Sequence, residues 1–285
     1  MTPVFDSRQC TLGEGPLWHP TRRQLFWFDI TGNRLLSRDA TGPRAWAFAE
    51  NVSAAGWIDH DHLLIASETA LFRFNVETGA RQDLCPLEAD RPGTRPNDGR
   101  ADLQGGFWIG TMGKKAEEGQ GAIYRFYKGE LRRLFASITI SNAICFTPDG
   151  RHAHFCDTEL RQVMRVALDP DGWPQGDPQV FLDLAAERLN PDGAVVDAAG
   201  TLWLALWGAG RVAAYAPDGR LLRSVPFAAP HTSCPAFGGA DLATLYCTTA
   251  RQGMSPEALE RYPLAGQTFA APGIGRGQPE PHVIL

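Results

Sequence analysis

In Ser141-Asn142-Ala143-Ile144-Cys145-Phe146-Thr147-Pro148-Asp149-Gly150, and in His154-Phe155-Cys156-Asp157 just after it, a simple unit is laid out. A polar residue meets a small one, a short apolar run follows, a Pro-Asp-Gly turn closes it, and a second apolar run begins. Pro, Asp and Gly are the residues that tight hairpins use, so the unit predicts two antiparallel strands. Its core triplet, His154-Phe155-Cys156, has relatives on both sides. They are Phe26-Trp27-Phe28, Leu64-Ile65-Ala66, Phe107-Trp108-Ile109, Leu202-Trp203-Leu204 and Leu245-Tyr246-Cys247. Successive first residues lie 38, 43, 47, 48 and 43 positions apart. Six copies at that period match four-stranded propeller blades.

A turn precedes each triplet, and most are followed by another strand-like run such as Ala70-Leu71-Phe72-Arg73-Phe74 or Ala122-Ile123-Tyr124-Arg125-Phe126. These runs mix apolar residues with a charged one, as two-faced strands do. Helical periodicity is confined to Ser255–Arg261, where Ser255 is placed to cap and Pro256 to open one or two turns. Connections between strands are too short for the crossover helices of a parallel sheet. The 21 prolines and 30 glycines punctuate turns, and no low-complexity linker divides the chain. The expected fold is all-β, a six-bladed β-propeller spanning residues 1–285 as one domain.

Composition narrows the function classes. With 285 residues, 44% hydrophobic and 21% charged, the chain can bury an ample core without staples. A net charge of −5 and the lack of a Lys/Arg cluster argue against a nucleic-acid partner. No apolar run approaches the roughly 20 residues needed to cross a bilayer, so no membrane association is expected. Met1–Cys10 lacks the basic-then-apolar pattern of a secretory signal. The six cysteines form no CxxC pair, and several sit in apolar runs, which reads as buried free thiols in a reducing, cytoplasmic setting.

Counting back from the triplets brings out a second pattern. Glu14 lies 12 residues before Phe26, and Asn142 lies 12 before His154; Asn97 lies 10 before Phe107, and Asp192 lies 10 before Leu202. In a propeller the first strand of each blade lines the central channel, so such positions converge on the axis at one face. The matching positions of the second and sixth blades, near Val52–Ser53 and Thr232–Cys234, are neutral. Small residues stand beside or near the four (Gly15, Gly99, Ala143, Gly193), as would let backbone approach a ligand. Taken singly, each Asn or Asp reads as a turn former. Two carboxylates brought together repel unless a cation joins them, and an all-oxygen donor set favours a hard divalent ion such as Ca²⁺.

Leu12-Gly13-Glu14-Gly15-Pro16-Leu17-Trp18, Arg95-Pro96-Asn97-Asp98-Gly99-Arg100, Ser141-Asn142-Ala143, Pro191-Asp192-Gly193, Leu206-Trp207-Gly208 and Ala236-Phe237-Gly238-Gly239 resemble, in order, the motifs of the senescence marker protein (regucalcin)/gluconolactonase/luciferin-regenerating-enzyme-like family. The resemblance runs from about Cys10 to Ala250 and is greatest to bacterial sugar lactonases of the xylonolactonase and arabinonolactonase type. It implies one divalent metal at the channel mouth, Ca²⁺ first and Zn²⁺, Mn²⁺, Fe²⁺ or Mg²⁺ as alternatives. Glu14, Asn142 and Asp192 would hold it, Asp192 would also be the general base, and Arg95 and Asn97 would bind substrate oxygens. The acidic substrate contact of some relatives maps to Glu117 or Glu118. Ala143 departs from the Gly that commonly follows the Asn, which is expected to narrow the pocket slightly. The implied activity is hydrolysis of a pentono- or hexono-lactone to the aldonic acid in oxidative sugar degradation, by a monomer or small homo-oligomer acting on a small molecule.

Other residues bear on rival readings. Trp207 reads either as a sugar-stacking wall or as a core aromatic, and Asp157 as a turn or supporting residue. Of the seven histidines, His231 is best placed, before the sixth channel strand; the pairs His60/His62 and His152/His154 lack a third zinc ligand. No Gly-Xaa-Ser-Xaa-Gly elbow marks a serine esterase. A promiscuous metal-dependent esterase or organophosphate hydrolase, and a non-enzymatic calcium-binding propeller, remain the competing functions.

Overall fold

A computed structural model describes residues 2–285. Six four-stranded antiparallel sheets are arranged as blades around a channel. Their innermost strands are Gly13–His19, Val52–Trp57, Thr94–Ala101, Ser141–Phe146, Asn190–Val196 and Thr232–Gly238, each packed on its neighbours around the ring. Blades 1 to 5 are built from consecutive strands. Blade 6 takes Thr232–Gly238, Thr244–Thr249 and Thr268–Pro272 from the end of the chain, and Val4–Asp6 from its beginning supplies the outer strand. The expected six-bladed propeller is therefore the fold.

Burial explains why the sequence shows triplets and not alternation. Inner and second strands are covered on both faces and read as continuous apolar runs, whereas outer strands such as Gly42–Ala47 alternate between half-buried and exposed. The core is divided into clusters between blades. One joins Phe26, Phe28 and Leu35 of blade 1 to Leu63, Ile65 and Phe72 of blade 2, all fully buried. Each such side chain contributes about 1.5–3 kcal/mol by burial. Two turns repeat one device: Asp102 accepts N–H groups of Gln104 and Gly106 while Trp108 Nε1 donates to its other oxygen, and Asp197 does the same for Ala199, Thr201 and Trp203.

Every inner strand carries a one-residue bulge at the same level. Ladder pairing breaks between Glu14 and Leu17, Ser53 and Ala55, Pro96 and Gly99, Asn142 and Cys145, Pro191 and Ala194, and Thr232 and Pro235. A bulge re-aims side chains and ends regular pairing. The common register shows that the triplets are not all equivalent. Phe26 and His154 pair just past their bulges, but Ile109 and Leu204, not Phe107 and Leu202, are their counterparts. Glu14 and Asn142 are thus the last paired residues before the bulge, while Asn97 and Asp192 are the first residues within it.

Opposite this face, residues 273–285 cross the channel. Gly277 N–H donates to Leu242 O, Gln278 Nε2 to Val196 O at 2.9 Å, Trp57 Nε1 to Glu280 O at 2.8 Å, and Ile284 N–H to Gly105 O. The segment thereby ties blades 6, 5, 2 and 3 together. Pro256–Arg261 forms the expected short helix, with Ser255 Oγ accepting from Ala258 N–H. All six cysteines are free, five buried and Cys85 half-buried, and no described helix is long and apolar enough to cross a membrane.

Candidate metal and active site

The bulges open onto a solvent-connected cavity of about 560 Å³ at the starts of the inner strands. Glu14, Arg95, Asn97, Asn142 and Asp192, drawn from blades 1, 3, 4 and 5, all line it. Each is at most 6% exposed, because neighbouring inner strands press in from both sides.

Charge in the cavity is lopsided. Burial, and then the negative charge of Asp98, pushes Glu14 up to about 8. Burial, and then Glu14, pushes Asp192 well above the usual carboxylate range. Arg95 is drawn down to about 10 by burial and stays cationic at neutral pH. Its Nη1 donates to Pro96 O at 2.9 Å and to Asn97 Oδ1 at 2.8 Å, not to either acid. Among the described residues no Lys, Arg or His forms a salt bridge with Glu14 or Asp192; Glu14 accepts only the Gly15 N–H, at 3.3 Å. Two buried acids without a cationic partner, beside amide oxygens, form a donor set that fits a hard divalent ion. No described cluster holds three or more His, Cys, Asp or Glu, because the third oxygen here belongs to an amide.

The amides are fixed by a network. Asn97 Nδ2 donates to Ser141 O at 2.8 Å and to Asn142 Oδ1 at 3.0 Å, and Asn142 Nδ2 donates to Thr158 Oγ1 at 2.9 Å. Asp98, which the sequence reading passed over, is a buried acid raised to about 6 by burial. Its oxygens accept Gly99 N–H at 2.9 Å and Ile144 N–H at 2.8 Å, joining the bulges of blades 3 and 4. Adjacent polar residues on a strand otherwise buried on both faces were the available signal for it.

The small neighbours act differently from expectation. A Cβ on Gly193 would meet Cys234 Sγ at 2.3 Å, and one on Gly99 would meet Trp108 O at 2.6 Å and the Ala54 Cβ at 3.0 Å. These residues are small because inner strands converge, not to admit a ligand. Ala143 is fully buried with φ 56°, where Gly15 has φ 52°. The methyl therefore strains backbone in the left-handed region and is not among the groups lining the cavity.

Of the remaining candidates, Trp207 lines the cavity, and His231, absent from the lining, stacks on it with centroids 4.2 Å apart and planes 15° apart. Trp207 also packs against the blade 1–2 core, so wall and core aromatic are one role. Glu117 is not brought together with the others: it is exposed, its Oε2 accepts Lys115 N–H at 3.0 Å, and Ala116 is the loop residue on the cavity. Glu118 is exposed as well. Asp157 caps the Thr158–Leu160 turn and accepts N–H groups of Thr139 and Ile140. Leu12, Met112, Ile140, Thr158 and Gln252 complete the wall, and of these only Leu12 fell within a sequence motif.

Comparison with known proteins gives the family. Residues 12–251 match the SMP-30/gluconolactonase/LRE-like region. The chain is 36% identical to the L-arabinolactonase of Azospirillum brasilense over 95% of its own length and 91% of that protein. It is 32% identical to the 6-deoxy-6-sulfogluconolactonase of Pseudomonas putida, covering 91% and 90%. The crystal structure of a calcium-binding protein, regucalcin, from Agrobacterium tumefaciens C58 superimposes with a TM-score of 0.98 at 38% identity, over 100% of this chain and 98% of that one. The chain belongs to the SMP-30/gluconolactonase/LRE-like family.

Proposed function

We propose that this chain is a sugar lactone hydrolase that opens a pentono- or hexono-lactone to its aldonic acid, with one divalent ion, Ca²⁺ first, held by Glu14, Asn142 and Asp192. The observation that carries it is the pair of buried acids without a cationic partner, placed beside Arg95 and two amides in one solvent-open cavity. Relatives named as lactonases supply the substrate class.

A divalent ion held there would offset the two acids and supply Lewis-acid stabilisation for the charge that builds on a lactone carbonyl oxygen. Asp192 would take the proton from the attacking water. Arg95 keeps Nε and Nη2 clear of protein acceptors, so its forked donors face the cavity for ring and hydroxyl oxygens. Asn97 is locked by Arg95 on one side and Asn142 on the other, which holds the polar wall rigid without reorganisation during the reaction. Trp207 gives the lactone ring an apolar face.

The test is a rate measurement over a panel of pentono- and hexonolactones, and over aryl esters, with and without chelator. Chelator-sensitive hydrolysis that prefers aldonolactones is expected. Preference for aryl esters would make the chain a general esterase, and ion binding without turnover of any lactone would make it a binding propeller.

A further inference from the structure

A chain of hydrogen bonds crosses three blades beside the cavity, and both of its ends have a fixed sense. Arg95 can only donate, so the atom of Asn97 that faces it at 2.8 Å is Oδ1. The Asn97 amide nitrogen then points away and donates to Asn142 Oδ1 at 3.0 Å. Asn142 Nδ2 must face Thr158, where it donates to Oγ1 at 2.9 Å. The Thr158 hydroxyl passes its own hydrogen to the Pro191 carbonyl at 2.7 Å, and a carbonyl can only accept. Every member has one possible orientation. A free side-chain amide has two, related by a half-turn, and the reversed one would present NH₂ hydrogens to a cation.

We propose that Thr158 is the positioning residue of the ion site, holding the Asn142 amide oxygen toward the cavity and tethering the residue before Asp192 to blade 4. The inference rests on the reading of Asn142 as a ligand. Its hydroxyl stands where two ligand-bearing blades meet, because Pro191 adjoins Asp192 and Asn142 belongs to the neighbouring sheet. The turn that carries it is braced for the task. Thr158 N–H donates to Ile140 O, and Asp157 accepts N–H groups from Thr139, Ile140 and Glu159. Asn142 Oδ1 accepts one hydrogen bond, from Asn97, and a carbonyl-type oxygen has a second lone pair to offer.

The experiment is calorimetric titration of the metal-free full chain with Ca²⁺, Mn²⁺ and Zn²⁺ salts, with lactone hydrolysis as a second readout. Thr158→Val should weaken binding of the preferred ion about tenfold, the scale on which ligand-orienting partners act. Thr158→Ser restores the hydroxyl and should stay within about threefold of the parent chain on the same scale. In an Asn142→Asp background both oxygens accept, no orientation needs fixing, and adding Thr158→Val should change the Kd by less than about threefold. Thr158→Ala carries the same expectation as the Val variant should that one fail to fold, with folding checked by circular dichroism. An unchanged Kd in the Val or Ala variant overturns the proposal, as does an equal loss in the Asn142→Asp background, which would mark a general structural role. A parent chain that binds none of the three ions overturns the reading of the site itself, and the role of Thr158 with it.

Discussion

The two ends of the channel solve the same electrostatic problem in opposite ways. At the far end Arg100, on the inner strand of blade 3, is half-buried and forms an ion pair with the buried Glu280 from the crossing segment. Its other contacts are longer, 3.5 Å to the carbonyls of Ala194 and Pro235. At the near end Glu14 and Asp192 are buried more deeply, yet neither has a salt-bridged partner among the described residues, Arg95 acting on both only at longer range. A buried charge that has its counter-ion on its own chain is structure; buried charges that have none are arranged for something from solution. The family match ends at residue 251, so the segment that closes the far end lies outside it.

The largest effect should come from the near end. Asp192→Ala should lower kcat for the preferred lactone by three to four orders of magnitude, as loss of a general base does; unchanged kcat in folded, ion-loaded protein would remove Asp192 from that role. At the far end Glu280→Gln should cost about 3 kcal/mol of stability by denaturant titration, because it strands Arg100 without its counter-charge. The kcat of the folded variant should be little altered, and a large loss of turnover at full stability would dissolve the contrast between the ends.

A pH series sharpens the same contrast. In metal-free protein Glu14 is raised from its ordinary 4.5 to about 8, so the folded state holds a proton that the unfolded state has released between those values. Stability contributed by this group is complete below about 4.5 and is lost as pH rises toward 8, and Asp192 acts in the same sense. Denaturation midpoints in chelator should fall from pH 5 to pH 8, while an added divalent ion should lift them most at the alkaline end. A flat curve in chelator would mean that the acids are not strained. Gly15→Ala should cost at least about 1–2 kcal/mol for a side chain at positive φ, a conformation that Ala143 tolerates one position past Asn142, because the added Cβ would also press on Ala54 Cα and Phe28 Cδ2 at 3.2 Å.

Much of this architecture was legible because propeller repetition writes itself into spacing: the six apolar triplets mark six second strands, and the polar residues ahead of them mark the channel mouth. The frame slipped by one residue in blade 2 and by two in blades 3, 5 and 6, where Leu64, Phe107, Leu202 and Leu245 stand ahead of Ile65, Ile109, Leu204 and Cys247, the true equivalents of Phe26 and His154. Strands buried on both faces offer no alternation from which to read phase. The bulges were equally silent, since only Gly15 advertises positive φ while Ala54 and Ala143 adopt it without a glycine. Residues 273–285, rich in Pro and Gly, look like a loose tail in sequence. Their role depends on carbonyls and N–H groups offered by remote parts of the chain, which no local pattern can announce. Thr158 was hidden for the same reason, its partners being 16 and 33 residues away.

The seam in blade 6, where Val4–Asp6 lies against Thr268–Pro272, has a consequence for biosynthesis. Val4–Asp6 must wait for Thr268–Pro272 to be synthesised before the circle shuts. Until then blades 1 and 5 have no reason to face each other, and Glu14 and Asp192 are strangers on an open arc. A chain truncated before Thr268 should thus lack activity however well its individual sheets had formed, and activity should appear in a single step once that strand has joined Val4–Asp6.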